Sequence, residues 1–148
     1  IYGSYNYKDY SDNNFSHDFQ ITPKYLILNG NPGVSIGYTL RYLTFDRQTY
    51  HGYFDPENFL SNQLTLYFNY VKDKFYIYLE PYGGYQGYKR YGDSKHEVFG
   101  GGSGILGYKI SKSFSMEFNG EGGNYAGGAG ATAGWKYYIL GFRIKSVF

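Results

Sequence analysis

The feature that most constrains this chain is an alternation of apolar and polar residues with a period of two. In the C-terminal stretch, the even positions from Tyr138 to Ile144 are apolar or aromatic, whereas Arg143 and Lys145 stand at odd positions. A helix would scatter both sets around its surface, because its side chains repeat about every 3.6 residues. A strand separates them onto opposite faces. Residues 138–148 are therefore predicted to form a half-buried β-strand.

The same alternation recurs along the chain and predicts eight strands. Composition agrees, because Gly 22 and Tyr 21 among 148 residues leave little sequence that favours a helix. We expect one domain over residues 1–148. The predicted strands cover residues 1–8, 17–28, 33–43, 60–72, 74–82, 98–110, 114–121 and 138–148.

The predicted connections alternate in length. The short ones lie at residues 29–33, 72–74 and 111–113. The long ones lie near residues 9–16, 45–59, 83–97 and 120–131. Short turns at one end and long loops at the other are typical of outer-membrane barrels. We therefore predict an all-β fold, an antiparallel up-and-down transmembrane β-barrel of about eight strands, located in the bacterial outer membrane.

A soluble β-sandwich or lipocalin-like barrel would use the same alternation with its apolar faces turned inward. Two features favour the membrane barrel. The polar positions combine charged side chains with large tyrosines, which suits a hydrated or charge-paired lumen, and aromatic residues are frequent at the strand ends, where membrane–water boundaries favour them. We expect outer-membrane lipid, lipopolysaccharide and the barrel assembly machinery as partners.

Composition also excludes several functions. A net charge of +2 provides no strongly basic face, so we expect no nucleic-acid partner. The absence of cysteine excludes thiol nucleophiles and Cys-ligated zinc. No cofactor and no metal are expected.

The candidate lumen-lining residues stand at polar positions of the predicted strands. In an eight-stranded barrel side chains fill the interior, and the cations among them would pair with the carboxylates. In a barrel of about sixteen strands the lumen is a water channel, and the tyrosines would offer faces along which sugar rings slide. The alternation fits both. The candidates are Tyr67, Tyr76, Tyr78, Tyr82, Glu80, Arg41, Glu117, Arg143 and Lys145.

One connection contains an aromatic motif formed by Tyr53, Phe54, Asp55, Pro56 and Phe59. Proline fixes the backbone of the turn, and the aspartate can bond to the backbone beyond it. The segment is therefore predicted to be an ordered aromatic loop over the barrel mouth.

This motif, followed by an alternating strand and a terminal phenylalanine, resembles the C-terminal barrel of exopolysaccharide-export proteins of the cellulose synthase operon protein C and poly-N-acetylglucosamine export porin type. The resemblance covers about residues 50–148. It implies an outer-membrane channel of about sixteen strands, preceded by periplasmic tetratricopeptide repeats, through which a polysaccharide chain leaves the cell. Phe142, Ile144 and Phe148 resemble the terminal signal by which such barrels are recognised for insertion.

This chain departs from that family, because it has half the strand number and no repeats. It is either the last half of such a barrel or a complete small barrel. We expect a non-enzymatic outer-membrane barrel that forms the C-terminal part of a polysaccharide secretion channel. A complete eight-stranded barrel without a pore, structural or adhesive through its loops, is the first alternative.

The second alternative is a lipid-modifying outer-membrane enzyme that uses His17, His51 or His96, which fall in or beside the predicted long loops. No nucleophile or metal-ligand spacing accompanies these histidines. Gly102 to Gly107 has the spacing of a dinucleotide-binding fingerprint, but it lies inside a strand pattern with no helix after it. We therefore reject the nucleotide interpretation.

Overall fold

The computed structural model of the chain describes residues 1–49, 53–124 and 136–146. Within these residues the chain forms nine β-strands and no helix, so the prediction of an all-β fold is confirmed. None of the described residues belongs to a helix that is long and apolar enough to cross a membrane. The strands are β1 (Tyr2–Asp9), β2 (Phe15–Thr22), β3 (Lys24–Leu28), β4 (Gly33–Phe45), β5 (Asn58–Lys72), β6 (Phe75–Arg90), β7 (Asp93–Lys109), β8 (Phe114–Asn124) and β9 (Tyr137–Ser146).

The strands form one antiparallel sheet in which neighbours in sequence are neighbours in space. The order β1-β2-β4-β5-β6-β7-β8-β9 is an up-and-down meander, and β3 joins it by pairing with β4. Within the described residues β1 and β9 form the two edges and do not pair with each other, so this sheet is open.

The predicted strand over residues 17–28 is divided into β2 and β3 at Pro23. Proline has no backbone N–H to donate to a neighbouring strand, so it interrupts the ladder. Both segments still pair with β4, and the Pro23 carbonyl accepts a hydrogen bond from the Tyr38 N–H at 3.0 Å. The two segments therefore occupy one position in the sheet.

The largest departure from the predicted strands concerns residues 83–97, which the sequence predicts to be a long loop. Instead β6 runs to Arg90 and β7 begins at Asp93. Tyr91 and Gly92 between them have positive φ angles of 54° and 85°, as tight hairpin turns require. The loop prediction is wrong here because glycine and tyrosine suggest irregular structure. In the hairpin Tyr82, Tyr85 and Tyr88 are spaced three residues apart, so they fall on the two faces in turn and no period-two pattern is visible.

The described connections lie at two ends of the sheet, and the predicted difference in length between the ends does not hold throughout, because the loop end also carries the two-residue turn at 91–92. The loop end carries residues 10–14, 46–57 and 91–92. The turn end carries residues 29–32, 73–74 and 110–113, so the three predicted short turns are confirmed. The predicted connection at 120–131 begins later, because β8 continues to Asn124, and its residues from 125 onward lie outside the described ranges.

The two faces of the sheet differ in chemistry. Because the strands pair in register, most of the large apolar positions of the long strands fall on one side, which we call the apolar face. Leu43, Phe45, Phe59 and Phe99 fall on the other side. The large side chains of the apolar face are exposed: Leu64 is 54% and Phe142 63% accessible. Other exposed members are Phe19, Leu60, Leu66, Leu79, Leu106, Phe118, Leu140 and Ile144.

The opposite side is the polar face. On this side residues from Tyr2 on β1 to Tyr67 on β5 line a pocket of about 610 Å³. Polar side chains of this face are buried, including Ser61 at 2% and Glu117 at 7% exposure. This face therefore combines buried polar groups with the buried apolar residues at its loop end.

The small apolar core lies at the loop end of the polar face. It consists of four buried residues, with Tyr10, Tyr53 and Phe54 packed against them. The four are Leu43, Phe45, Phe59 and Tyr88. The core therefore joins the ends of β4, β5 and β6 to the connections above them.

Candidate functional site

The pairing register brings the nine candidate lumen residues onto the polar face. Tyr82 lies opposite Thr65, Tyr76 opposite Gly107, and Glu117 opposite both Gly107 and Arg143. The strand pairing places the remaining candidates on the same face. The nine residues are Arg41, Tyr67, Tyr76, Tyr78, Glu80, Tyr82, Glu117, Arg143 and Lys145.

Two tyrosines of this face lie flat against glycines of the neighbouring strands. A Cβ atom added to Gly107 would overlap the Tyr76 ring, and one added to Gly101 would lie 2.6 Å from the Tyr82 hydroxyl. A Cβ atom added to Gly123 on β8 would also be too close to the Tyr82 hydroxyl. Because glycine leaves this space empty, the rings pack along the wall of the sheet instead of projecting from it.

The tyrosines differ in how much surface they offer. Tyr76 is 7% exposed, so it supports the wall and is not itself a contact surface. Tyr78 packs against Tyr76 with ring centroids 5.7 Å apart and is 41% exposed. Tyr67 and Tyr82 are half-buried. Among the four candidate tyrosines, the accessible rings are therefore those of Tyr67, Tyr78 and Tyr82.

A charged cluster surrounds the buried carboxylate of Glu117. The Tyr76 hydroxyl donates to its Oε1 at 2.7 Å, and the Lys145 Nζ donates to the same atom at 2.6 Å. Arg143 approaches Oε2 with a nitrogen at 3.9 Å. Both cations come from β9, and the tyrosine comes from β6. The pairing of Arg143 and Lys145 with Glu117, expected of a charge-paired interior, is present.

Arg41 has a different partner from the two carboxylates considered in the sequence. Its Nε and NH2 donate to the two carboxylate oxygens of Asp18 at 2.8 and 2.7 Å. Such a two-point contact fixes both side chains. Glu80 is exposed on β6 and forms no ion pair among the described residues.

Neutral hydrogen-bonding groups line the cavity beside Arg41. The hydroxyls of Thr22 and Thr39 lie 3.0 Å apart, and the Gln63 Nε2 donates to Thr65 at 2.9 Å. Hydroxyl and amide groups of this kind, next to a tyrosine ring, match the hydrogen-bonding edges and apolar faces of sugars. The lining residues include Gln20, Thr22, Thr39, Arg41, Gln63 and Tyr67.

The aromatic motif of residues 53–59 packs over the loop end of the polar face. Asp55 is fully buried, and its carboxylate accepts hydrogen bonds from the Thr49 N–H at 2.7 Å and the Arg90 Nε at 3.0 Å. The hydroxyl of Tyr91 donates to it at 3.2 Å. The predicted order of this segment therefore has a physical cause, because a buried carboxylate needs such partners.

The aromatic members of the motif complete the packing. Phe54 meets Phe59 and Tyr88 edge to face, with ring centroids 5.9 and 5.2 Å apart. Tyr53 stacks on Tyr10 at 5.1 Å. Pro56 is buried, and its carbonyl accepts a hydrogen bond from the Phe45 N–H at 3.2 Å.

The candidate insertion residues lie on the other side of the sheet. Phe142 and Ile144 are exposed on the apolar face of β9. Phe148 lies outside the described residues. The role of these residues in insertion stays a prediction.

The histidines do not form a site with the polar face. His17 on β2 and His96 on β7 both lie on the apolar face, so His96 is in a strand and not in the loop predicted for it. The Tyr5 hydroxyl lies 2.8 Å from the His17 Nδ1, and the His96 ring stacks on Tyr85 at 5.9 Å. His51 lies outside the described residues.

In the part of the chain that the structure describes, no three His, Cys, Asp or Glu side chains come together as a metal site would require. Comparison of the chain with known protein families, with curated proteins and with solved structures gave no match. The functional argument therefore depends on the geometry of the two faces.

Sequence reasoning missed several residues that hold the site together. Asp18, Arg90 and Tyr91 supply the partners of Arg41 and Asp55. Asn14 is also missed: it is fully buried and bonds to the Arg47 backbone and the Tyr53 hydroxyl. The strand register connects Asp18 with Arg41, and packing of the connections brings the other residues together; alternation supplies neither.

Proposed function

We propose that this chain is part of an outer-membrane β-barrel channel for polysaccharide secretion. Its apolar face contacts lipid, and its polar face lines a water-filled lumen through which the glycan passes. The observation that carries the proposal is the reversed distribution of side chains, with exposed leucines and phenylalanines on one face and buried polar groups on the other. Water outside and a packed interior would disfavour that distribution, whereas lipid outside stabilises it.

The dimensions of the apolar face support the same proposal. On β5 the apolar positions run from Leu60 to Tyr70. At ~3.3 Å per residue this stretch is about 33 Å long, which a strand tilt of ~40° converts to about 25 Å of height. That height matches the lipid-facing band of outer-membrane barrels. Tyr70 and Tyr108 lie near its turn end, and Tyr42 and Tyr85 near its loop end, as amphipathic rings at two boundaries would.

The open edges favour a barrel larger than eight strands. Backbone groups within hydrocarbon must be paired, so β1 and β9 need strand partners in a membrane. We propose that further strands supply them, giving about sixteen in the closed barrel.

Half-buried tyrosines and neutral polar groups suit a passing glycan. Sugar rings present apolar faces that pack on aromatic rings and hydroxyl edges that bond to amides and hydroxyls. Many weak contacts of this kind permit movement, whereas one tight site would hold the chain. Tyr67, Tyr78 and Tyr82 are the contact residues of this proposal.

A complete barrel without a pore is the second candidate. Glu117 with Lys145, and Asp18 with Arg41, neutralise charge on the polar face, as a filled interior requires. This barrel would have a structural or adhesive role, with β1 and β9 paired to each other.

Planar-bilayer recording distinguishes these candidates when it is made on the chain together with the further strands that the channel proposal requires, and on the chain alone beside it. The channel proposal predicts conductance steps that neutral malto-oligosaccharides reduce, and Tyr82→Ala on the polar face should weaken that block. Tyr85→Ala on the apolar face is the matched control and should leave it unchanged. Heat-modifiable gel migration reports insertion in the same samples. Insertion without conductance would overturn the channel proposal in favour of the closed barrel, and failure to insert would overturn both.

A further inference from the structure

Residues 53–57, which we call the anchored segment, fold onto the polar face at the loop end. The Phe54 ring contacts the rings of Phe59 and Tyr88, with centroids 5.9 and 5.2 Å apart. Phe59 and Tyr88 lie opposite each other on the polar face of β5 and β6. Phe59 is fully buried, although it belongs to a single layer of strands. The anchored segment therefore covers the polar side of these two strands.

A buried ion pair fixes the anchored segment to the end of β6. Asp55 is fully buried, and the Arg90 Nε donates to its Oδ1 at 3.0 Å. A second nitrogen of the same guanidinium donates to the Tyr53 carbonyl at 2.7 Å. Arg90 lies on the polar face of β6, at the last position of that strand. Because breaking a buried ion pair is strongly destabilising, the segment is held firmly against this strand.

Main-chain hydrogen bonds attach the anchored segment to two strands as well. The Glu57 N–H donates to the Lys89 carbonyl of β6 at 2.9 Å. The Pro56 carbonyl accepts a hydrogen bond from the Phe45 N–H of β4 at 3.2 Å. The position of the segment therefore depends on its backbone as well as on the buried carboxylate.

The Tyr53 side chain extends this packed layer to the connection between β1 and β2. Its ring stacks on Tyr10 with centroids 5.1 Å apart, and its hydroxyl donates to the Asp12 Oδ2 at 3.0 Å. The amide of Asn14, which is fully buried, donates to the same hydroxyl at 2.8 Å. One packed layer thus runs from the start of β2 to the end of β6.

The polar face of these strands is filled at the loop end and open next to it. Toward the turn end, β2, β4 and β5 line the pocket of about 610 Å³, with Gln20, Arg41 and Gln63 among its lining residues. Layers packed on a sheet lie about 10 Å from it, so the anchored segment occupies that depth beside the polar face. A lumen bounded by this face is therefore narrower at the loop end than beside the pocket.

We propose that the anchored segment is the constriction of the channel, and that Phe54 and Asp55 determine the largest molecule that passes. This deepens the proposed secretion function and rests on it. Phe54 occupies the space beside the wall, and Asp55 holds the segment there through Arg90. A glycan leaving the channel passes beside the segment, so the cross-section that remains there limits its width.

The test is planar-bilayer recording on the barrel that the chain forms with its further strands, in the presence of polyethylene glycols of increasing size. Asp55→Asn removes the charge that holds Arg90, and Phe54→Ala removes the ring. Each should raise conductance about twofold or more, because conductance follows the narrowest cross-section of a water-filled lumen. Each should also admit larger polyethylene glycols. Two variants are used because a substitution at a buried position can impair folding, which gel migration checks.

The matched control is Glu57→Gln in the same segment. Like Asp55→Asn, it converts a carboxylate to an amide and removes an ion pair, here with Lys89 at 2.8 Å. Both side chains of this pair are about half exposed, and Lys89 lies on the apolar face. The control should therefore leave the conductance and the size limit unchanged.

An equal rise of conductance in the control would mean that the lost charge and not the constriction is responsible, which overturns the inference. Folded Asp55→Asn or Phe54→Ala channels with the conductance and size limit of the wild type would overturn the inference and leave the channel in place. Insertion of wild type and variants without any conductance would overturn the channel, and the constriction with it.

Discussion

The two faces of this sheet are built from the same strands, but they differ in which side chains are exposed and which are buried. On the apolar face large side chains such as Leu64 and Phe142 are exposed, and few of their polar neighbours need partners. On the polar face the carboxylates of Glu117 and Asp55 are buried and each has several partners. The buried carboxylates and their partners therefore lie on one side of this single layer of strands.

The difference teaches what the proposed lipid-facing arrangement requires. If the apolar face meets lipid as proposed, it needs only apolar side chains at each position, because fluid lipid adapts to their shape. The polar face needs geometry as well, because a buried charge without a partner is costly. Asn62 illustrates the exception: it lies among leucines on the apolar face and accepts a hydrogen bond from the Tyr38 hydroxyl. Substitutions on matched positions of the two faces test this difference.

The largest effect is expected at Asp55. Asp55→Ala removes a fully buried carboxylate and leaves Arg90 without its ion-pair partner, which should lower the free energy of unfolding by about 3 to 5 kcal/mol. Urea titration in lipid vesicles measures it. The control is Asp46→Ala, whose contact with Arg47 at 3.6 Å is solvent-exposed and should matter by less than about 1 kcal/mol. Equal effects would refute the importance of burial at the loop end.

The next effect compares adjacent residues on opposite faces. Leu64→Lys places a charge on the apolar face and should destabilise the chain in vesicles by about 2 to 4 kcal/mol. Gln63→Lys places the same charge on the polar face and should cost less than about 1 kcal/mol. The same titration applies. If the two lysines destabilise equally, the assignment of the faces is wrong.

Glycines of the two faces should differ by a smaller amount. Gly107→Ala would push the Tyr76 ring away from the wall and weaken its bond to Glu117, costing about 1 to 3 kcal/mol. Gly83→Ala on the apolar face meets nothing closer than a backbone oxygen at 3.9 Å and should change stability by about 0.5 kcal/mol or less. A tolerated Gly107→Ala would show that the ring is free to move.

The smallest effect concerns a single hydroxyl. Tyr76→Phe removes the hydrogen bond to Glu117 Oε1, which Lys145 still contacts, so we expect a loss of about 1 kcal/mol. Tyr78→Phe removes the hydroxyl of an exposed ring and should be within about 0.5 kcal/mol of wild type. Unfolding of both variants side by side is sufficient. No difference between them would mean that the lysine alone satisfies the carboxylate.

Much of the fold could be predicted from the sequence because alternation has a direct physical meaning. Strands β4, β5, β8 and β9 follow from period-two patterns that no helix tolerates. Residues 83–97 could not be predicted in this way, since Gly and Tyr are common in loops and only the turn at Tyr91 and Gly92 reveals a hairpin. The break at Pro23 is readable from its missing N–H, but the alternation continues through it.

The site was predictable only in part. Alternation along each strand grouped the polar-face residues, because every second residue of a strand lies on the same face and a shift of two residues in the pairing does not change that face. The partners did not follow from alternation. Asp18 and Arg41, and Asp55 and Arg90, are far apart in sequence and meet through strand pairing and loop packing. Tyr76 was predicted to line the lumen, yet its ring packs against Gly107 on the neighbouring strand and is buried.

The most direct test of the central claim asks which solvent each face meets. The chain has no cysteine, so Leu64→Cys and Gln63→Cys each give one labelling site for an environment-sensitive fluorophore. In vesicles we predict that quenchers attached to lipid tails quench the label at 64, and that aqueous iodide quenches the label at 63. Quenching of the label at 64 by iodide, with no effect of the lipid quencher, would contradict the account.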